Sequence, residues 1–188
     1  MRIIAGRARG TQLVAPKGMD TRPTQDKVKE SLFSMIQLDV PQAQVLDLFA
    51  GSGALALESI SRGAESAVVV DKSREALDCI RKNVAKMRAE EQVTILPMEW
   101  SQALLKCKQA GKNFDLVFLD PPYRMTELGE MCQKMLDMDL LLPGAMLVLE
   151  HRTGVELHMP CVFSLEKERT YGETQIHFYR LEDESNES

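Results

Sequence analysis

Apolar residues follow two rhythms along this chain, and the rhythms take turns. From residue 44 onward, short apolar runs (QVLDLF, SAVVVD, QVTIL, FDLVFLD and AMLVLEH) are separated by segments whose apolar positions fall three and four apart: GALALESISRG, SREALDCIRKNVAKMRA, SQALLKCKQAG and TELGEMCQKML. The first set predicts buried strands and the second amphipathic helices. In SREALDCIRKNVAKMRA, Leu77, Ile80, Val84 and Met87 share one face and Ser73 is a suitable N-cap; Gly63 ends the helix before it. Apolar strands alternating with such helices predict an α/β fold, a mostly parallel sheet with helices on both faces. Ahead of it, RIIA-GRARG-TQLVA predicts a small β-hairpin with Gly6 and Gly10 in the turn. KGMDTRPT reads as a loop, and a helix follows from an N-cap at Thr24, with Asp26 in its first turn and Val28, Leu32, Met35 and Ile36 as its apolar stripe. At the other end VFSLEKERT and TQIHFYRL alternate around YGE and predict an antiparallel hairpin added to the sheet edge. No linker or repeat intervenes. Residues 1–188 are therefore read as one domain: a basic hairpin-and-helix extension (1–40), a core (41–181) and an acidic tail (182–188).

Composition narrows the class. With 188 residues, 44% hydrophobic and 27% charged, the chain suits a soluble globular domain with a real core. No apolar run approaches the ~20 residues of a membrane span, and MRIIAGRARG has no signal-peptide core, so a cytoplasmic protein is expected. Cys79, Cys107, Cys132 and Cys161 lie far apart, which suits reduced core thiols. His151, His158 and His177 show no metal-ligand spacing, so no metal is expected. The net charge of −5 hides an asymmetry. Residues 1–30 hold seven Lys/Arg against three acids, a local +4, whereas LEDESNES holds four acids and no base. A basic arm on an acidic body is compatible with nucleic-acid contact, and equally with an ordinary charged hairpin.

In open α/β sheets, ligands sit beyond the carboxyl ends of the strands. Four of those ends carry acids here: Asp47, Asp71, Glu99 and Asp120. GSGALA at 51–56 fits the loose glycine pattern of nucleotide-binding turns, with Asp71 at the distance of a ribose ligand, so a dinucleotide oxidoreductase is a rival reading. The acid just before that turn argues otherwise. A pyrophosphate would be repelled by Asp47, whereas S-adenosylmethionine, which has a cationic centre and a free amino group, would be attracted. The run LDPPYR raises a second question. Its two prolines have no N–H to give, so the sheet ladder stops and a rigid loop presents the Asp120 carboxylate and the Tyr123 ring.

VLDLFAGSG resembles motif I of the Rossmann-like methyltransferases, and DPPY resembles motif IV of enzymes that methylate exocyclic amines. RIIAGRARGTQL, TRPTQDKVKESLF, VLDLFAGSGALALESISRGA, FDLVFLDPPY, LVLEH and YGET together resemble successive blocks of the RsmD family of bacterial 16S ribosomal RNA guanine-N2 methyltransferases. The resemblance implies the Rossmann-like methyltransferase fold. It also implies S-adenosylmethionine as cofactor, and a monomer acting on 16S rRNA within the small ribosomal subunit or its assembly intermediate. The implied product is of the guanine-966 N2 type. Carried over by position, Thr24, Asp47, Phe49, Gly51, Gly53, Asp71, Glu99, Trp100 and Asp120 are the cofactor-binding candidates. Asp120, Pro121 and Tyr123 are the catalytic ones. Asp120 and the Pro121 carbonyl would accept the amine hydrogens, and Tyr123 would stack on an unstacked base. Arg2, Arg7, Arg9, Arg22 and Arg124 are RNA-contact candidates. Trp100 suits adenine stacking or core packing equally. Three positions depart from the family pattern: Asp71, where many relatives have Glu; Met98-Glu99, where a Gly-Asp pair is usual; and GRARG, which lacks an aromatic.

Other functions remain open at this level. A DNA adenine-N6 methylase shares the DPPY logic but would usually need an additional target-recognition region, for which 188 residues leave little room. A protein-glutamine methylase more often carries Asn in place of Asp120. A catalytically idle rRNA-binding assembly factor would use the basic arm alone and would be indifferent to Asp120→Ala.

Overall fold

The computed structural model describes residues 1–19 and 23–183, with the side chains of Pro23 and Thr24 excepted. Five parallel strands form the centre: β1 (Gln44–Asp47), β2 (Ser66–Asp71), β3 (Val93–Pro97), β4 (Phe114–Leu119) and β5 (Leu141–Arg152). Two further strands, β6 (Phe163–Tyr171) and β7 (Thr174–Leu181), pair antiparallel with each other, and β7 pairs antiparallel with β5. The order across the sheet is β3-β2-β1-β4-β5-β7-β6. The chain winds outward from β1 in one direction and then restarts at β4 on its other side. The junction of β1 and β4 is thus the switch point, where the crevice for a ligand opens.

Strand alternation divides the core into two layers. Val45, Val69, Leu116, Phe118 and Val148 face helices α1 (Pro23–Met35), α2 (Ala54–Ser61) and α3 (Arg74–Lys86), meeting Phe33, Leu57 and Ile80. Leu46, Val68, Val117, Leu119 and Leu147 face α4 (Trp100–Gln109) and α5 (Leu128–Asp137), meeting Leu104, Met131 and Met135. Ser73 caps α3 as its sequence predicts, its side chain accepting from the Ala76 N–H at 3.4 Å. No helix among the described residues is long and apolar enough to cross a membrane.

The differences from the sequence reading lie mostly at the edges. The N-terminal hairpin has no regular strands: it forms one bridge, Arg2 to Gln12, with backbone bonds from the Ile3 N–H to the Thr11 carbonyl, the Gly10 N–H to the Ile3 carbonyl and the Leu13 N–H to the Met1 carbonyl. Other amides of the arm bond side chains of the core. Ile4 and Ala5 N–H donate to Glu58, Ala8 N–H to Ser61, and Val14 N–H to Asn83. Gly6 (φ +85°) passes so close to α2 that a Cβ there would lie 1.8 Å from the Ser61 carbonyl oxygen. Helix α1 starts at Pro23, so Thr24 is its second residue and not its N-cap. Proline suits a first helical position because its missing N–H would have had no helical partner. The Thr24 side chain, Arg22 and residues 184–188 of the acidic tail lie outside the described residues. Strand β5 begins at Leu141, earlier than AMLVLEH suggests, because Leu141 pairs with Phe114 before a register shift.

Candidate active site

Strand β1 ends on Asp47, and the chain turns at once through two glycines in left-handed conformation, Gly51 (φ +60°) and Gly53 (φ +79°). Gly53 stands at the N-cap position of α2 and offers no side-chain cap; the Ala56 N–H of the first turn donates to Asp47 in its place. Asp47 is 1% exposed, and its Oδ2 has no hydrogen-bond partner among the described residues. Burial pushes its carboxyl up to about 7. The neighbouring Asp71 adds to that rise, while the N–H groups of Ala56 and Phe49 draw it back. A buried carboxylate with an unsatisfied oxygen is costly in isolation, and it fits a ligand that brings a cationic donor. Asp71, at the end of β2, accepts from the Gly51 N–H and the Ser73 N–H, both at 2.9 Å. It thereby ties the glycine turn to the start of α3. Each of its oxygens retains a second lone pair, as a ribose hydroxyl would require.

On the other side of the switch point, β4 ends at Leu119, and Asp120 opens the DPPY loop. Asp120 is pushed well above the ordinary carboxylate range, first by burial, then by the charges of Glu150 and Asp47. Asp47 and Asp120 thus stand at the ends of β1 and β4, and Glu150 lies on the adjacent β5, two residues before its end. Pro121 is buried, whereas Tyr123 is 52% exposed with its hydroxyl tied to Thr174 Oγ1 at 2.8 Å. The tether comes from the first residue of β7 and holds an otherwise open ring in one place.

The whole chain matches known proteins. Residues 1–180 match the family described as Conserved hypothetical protein 95. Ribosomal RNA small subunit methyltransferase D of Escherichia coli K12 is 35% identical over 97% of this chain and 90% of its own length. The protein of that name from Haemophilus influenzae is 31% identical over 96% of this chain and 93% of its own. The chain belongs to this family. The solved yhhF protein of Escherichia coli superposes with a TM-score of 0.85 at 33% identity, covering 98% of this chain and 99% of that one. The family resemblance and the Rossmann-like methyltransferase fold inferred from sequence are both borne out.

Within this family member, the predicted site residues separate into two groups. Asp47, Phe49, Gly51, Gly53, Asp71, Asp120, Pro121 and Tyr123 gather around the switch point. The remaining candidates have other attachments. Glu99 is exposed and accepts from Lys72 Nζ at 2.9 Å, bridging the ends of β2 and β3. Trp100 packs, partly buried, against the α4–α5 layer with Lys134 Nζ 5.2 Å from its ring centre. Arg7 holds the hairpin to the α3–β3 connection through the Met87 carbonyl (3.3 Å) and Gln92 Oε1 (2.9 Å). Arg2 lies 3.8 Å from Asp26. Arg2 and Arg9, with Lys27 and Arg62 and the acids Asp26 and Glu30, line a groove of about 570 Å³ between the hairpin and α1. Arg124 is exposed beside Tyr123. Two residues at the site escaped sequence reasoning. Met19 lies over the glycine turn, its Cε 3.2 Å from where a Cβ at Gly51 would be. Glu150 stands beside Asp120. The acid of LVLEH was the available signal for Glu150.

Proposed function

We propose that the protein methylates the exocyclic N2 of a guanine in 16S ribosomal RNA, using S-adenosylmethionine. The coarser statement, an S-adenosylmethionine-dependent RNA methyltransferase, rests on its family. The observation that carries the finer reading is the unsatisfied, buried Asp47 carboxylate placed one strand away from Asp120. One acid calls for a cation, and the other opens the loop that carries an exposed, tethered aromatic ring three residues on.

When bound, S-adenosylmethionine supplies an electrophilic methyl group. The chain's own residues do the rest. Asp47 holds the ammonium of the methionine part, and Asp71 receives a ribose hydroxyl while keeping the glycine turn in shape. Asp120 and the Pro121 carbonyl accept the two amine hydrogens of the base. That matters because the amine lone pair is delocalised into the ring, and two acceptors on the N–H groups favour a pyramidal nitrogen whose lone pair can attack. Once methylated, the amine would carry a surplus proton, which Asp120 or water would take. A carboxyl already raised by burial and by Glu150 is a better proton acceptor than an ordinary aspartate. Tyr123 stacks on the base, which must leave its own stack to reach the loop. The groove beside the N-terminal arm is lined by four cations, Arg2, Arg9, Lys27 and Arg62, against two acids, Asp26 and Glu30, and this excess of positive charge supports a role for the arm in phosphate contact.

The test is methyl transfer from labelled S-adenosylmethionine to small ribosomal subunits that lack the modification, with naked 16S RNA and DNA in parallel and the product nucleoside identified by mass spectrometry. N2-methylguanosine in the RNA is expected, lost in Asp120→Ala. Label in DNA adenine, or undiminished transfer by Asp120→Ala, would overturn the reading.

A further inference from the structure

The mechanism above gives Glu150 no contact with the substrate, although it stands next to Asp120 across the β4–β5 ladder. The ladder between β4 and β5 pairs Leu119 with Leu149, so the next residues, Asp120 and Glu150, emerge side by side. The pleat sends Glu150 and His151 to opposite faces. His151 reaches His177 at 3.3 Å across to β7. Glu150 shares the wall of a small cavity with Pro121, Tyr123 and Met125 of the catalytic loop and with His151, Arg152 and Val155 of its own strand and the turn after it. Burial raises its carboxyl, and its charge in turn raises that of Asp120. Two acids so placed do not both ionise readily unless something brings hydrogen-bond donors to both.

Among the RNA bases, only one presents such an edge. The guanine amine is flanked by the N1–H donor. The adenine and cytosine amines are flanked by ring nitrogens that carry lone pairs, and uracil has no amine. We propose that Glu150 accepts the guanine N1–H while Asp120 and the Pro121 carbonyl hold the N2 amine, so that the two adjacent acids select guanine by its two adjacent donors. This inference rests on the guanine-N2 reading above and adds the residue that enforces base identity. An adenine or cytosine amine placed on Asp120 would turn a lone pair toward the Glu150 carboxylate. That arrangement is repulsive and leaves a buried acceptor unpaired.

The probe is 2-aminopurine, which keeps the amine at C2 but has a lone pair at N1. Small subunits are reconstituted with 16S RNA carrying guanine or 2-aminopurine at the methylated position, and kcat/KM is measured for both with wild type, Glu150→Gln and Glu150→Asp. Wild type is expected to prefer guanine by roughly 10- to 100-fold. Glu150→Gln can turn its amide N–H toward N1 of the analogue, so its preference should collapse toward unity. S-adenosylhomocysteine should bind it as it binds wild type, which shows the fold and cofactor site intact. Glu150→Asp keeps the charge but shortens the reach, and should lower kcat/KM for guanine while retaining the preference. An unchanged guanine preference in Glu150→Gln, or wild-type rates in both variants, overturns the assignment of Glu150 and leaves the guanine-N2 reading standing. No N2-methylguanosine from wild type on guanine RNA overturns that reading, and this inference falls with it.

Discussion

Two acids are sealed from water beside α2, one in its middle and one before its first turn, and they live opposite lives. Glu58, fully buried, receives the Ile4 N–H at 3.0 Å, the Ala5 N–H at 3.1 Å, Arg62 Nε at 2.8 Å and Lys29 Nζ at 3.2 Å. Asp47, at the mouth of the glycine turn, is as deeply buried and keeps an oxygen with no partner among the described residues. The fold has completed one carboxylate and left the other incomplete. Glu58 fastens the N-terminal hairpin, α1 and α2 into one body, and its function is spent within the chain. Asp47 needs a partner that the chain does not provide. Completeness of hydrogen bonding, more than burial or charge, separates the structural acid from the ligand-seeking one.

Breaking Glu58 should have the largest effect. Glu58→Gln leaves the Lys29 ammonium buried without its counter-charge, and burial already lowers the lysine's proton affinity despite Glu58. Removing one partner of a buried pair costs about 3–5 kcal/mol, enough to lower the Tm of a chain this size by roughly 10 °C. Denaturant titration reads the loss directly, and unchanged stability would remove the structural half of the contrast. Asp47→Asn should behave in the opposite sense. Affinity for S-adenosylhomocysteine, measured by calorimetry, should fall by roughly 10- to 100-fold, the worth of a hydrogen bond to a charged group. The ligand-free chain at pH 8 should be at least as stable as wild type, because an unsatisfied charge has been taken out of the interior. Should Asp47→Asn unfold as readily as Glu58→Gln, the two acids are not different in kind.

The same contrast has a pH signature. In the folded chain, Asp47 titrates at about 7 against 3.8 for the ordinary group. Between those values the folded state retains a proton that the unfolded state has released. Its contribution to stability is therefore fully present below about pH 4, declines as pH rises toward 7, and is constant above that. Cofactor affinity should run the other way, rising through pH 7 as Asp47 ionises to meet the ammonium. Comparing wild type with Asp47→Asn from pH 5 to 8 isolates this contribution. A stability difference that stays flat across the range would mean that Asp47 is already ionised in the ligand-free protein.

The sequence made one half of this picture easy to read. Strand ends are visible in an apolar run, and the strand-end rule located Asp47, Asp71 and Asp120 before any coordinates were known. It did so because β1, β2 and β4 stop where their apolar runs stop, or within two residues. Strand β5 continues to Arg152, so Glu150 sits inside a strand and nothing marks it as a rim residue. Glu58 is less legible still. Two of its donors lie 53 and 54 residues away in the hairpin, and a Glu in the middle of a helix ordinarily faces water. The same long-range docking explains Arg7: its guanidinium meets groups 80 and 85 residues further on, so local charge alone made it look available for RNA. For Trp100, sequence left core packing and adenine stacking open; the ring is partly buried against the α4–α5 layer with Lys134 Nζ 5.2 Å from its centre.

Tyr123 stands between the two acids in character, since its hydroxyl is satisfied by Thr174 while its ring is open to solvent. The comparison therefore assigns its two ends different tasks, and the two can be separated. Tyr123→Ala removes the ring and should lower kcat/KM for RNA by roughly 1–3 kcal/mol of lost stacking. Thr174→Val keeps the ring and removes only its tether, so the penalty should be the smaller entropic one of an unfixed platform, about 0.5–1.5 kcal/mol, the net worth of a single neutral hydrogen bond. Neither change touches Asp47 or Asp71, and S-adenosylhomocysteine should bind both variants as it binds wild type. Single-turnover kinetics on subunit RNA distinguish the two effects. If Thr174→Val costs as much as Tyr123→Ala, the tether does more than hold the ring, and Thr174 itself meets the substrate. If Thr174→Val costs nothing while Tyr123→Ala is severe, the ring is positioned by the Pro-Pro turn alone, and the satisfied end of Tyr123 belongs with Glu58 as a purely structural contact.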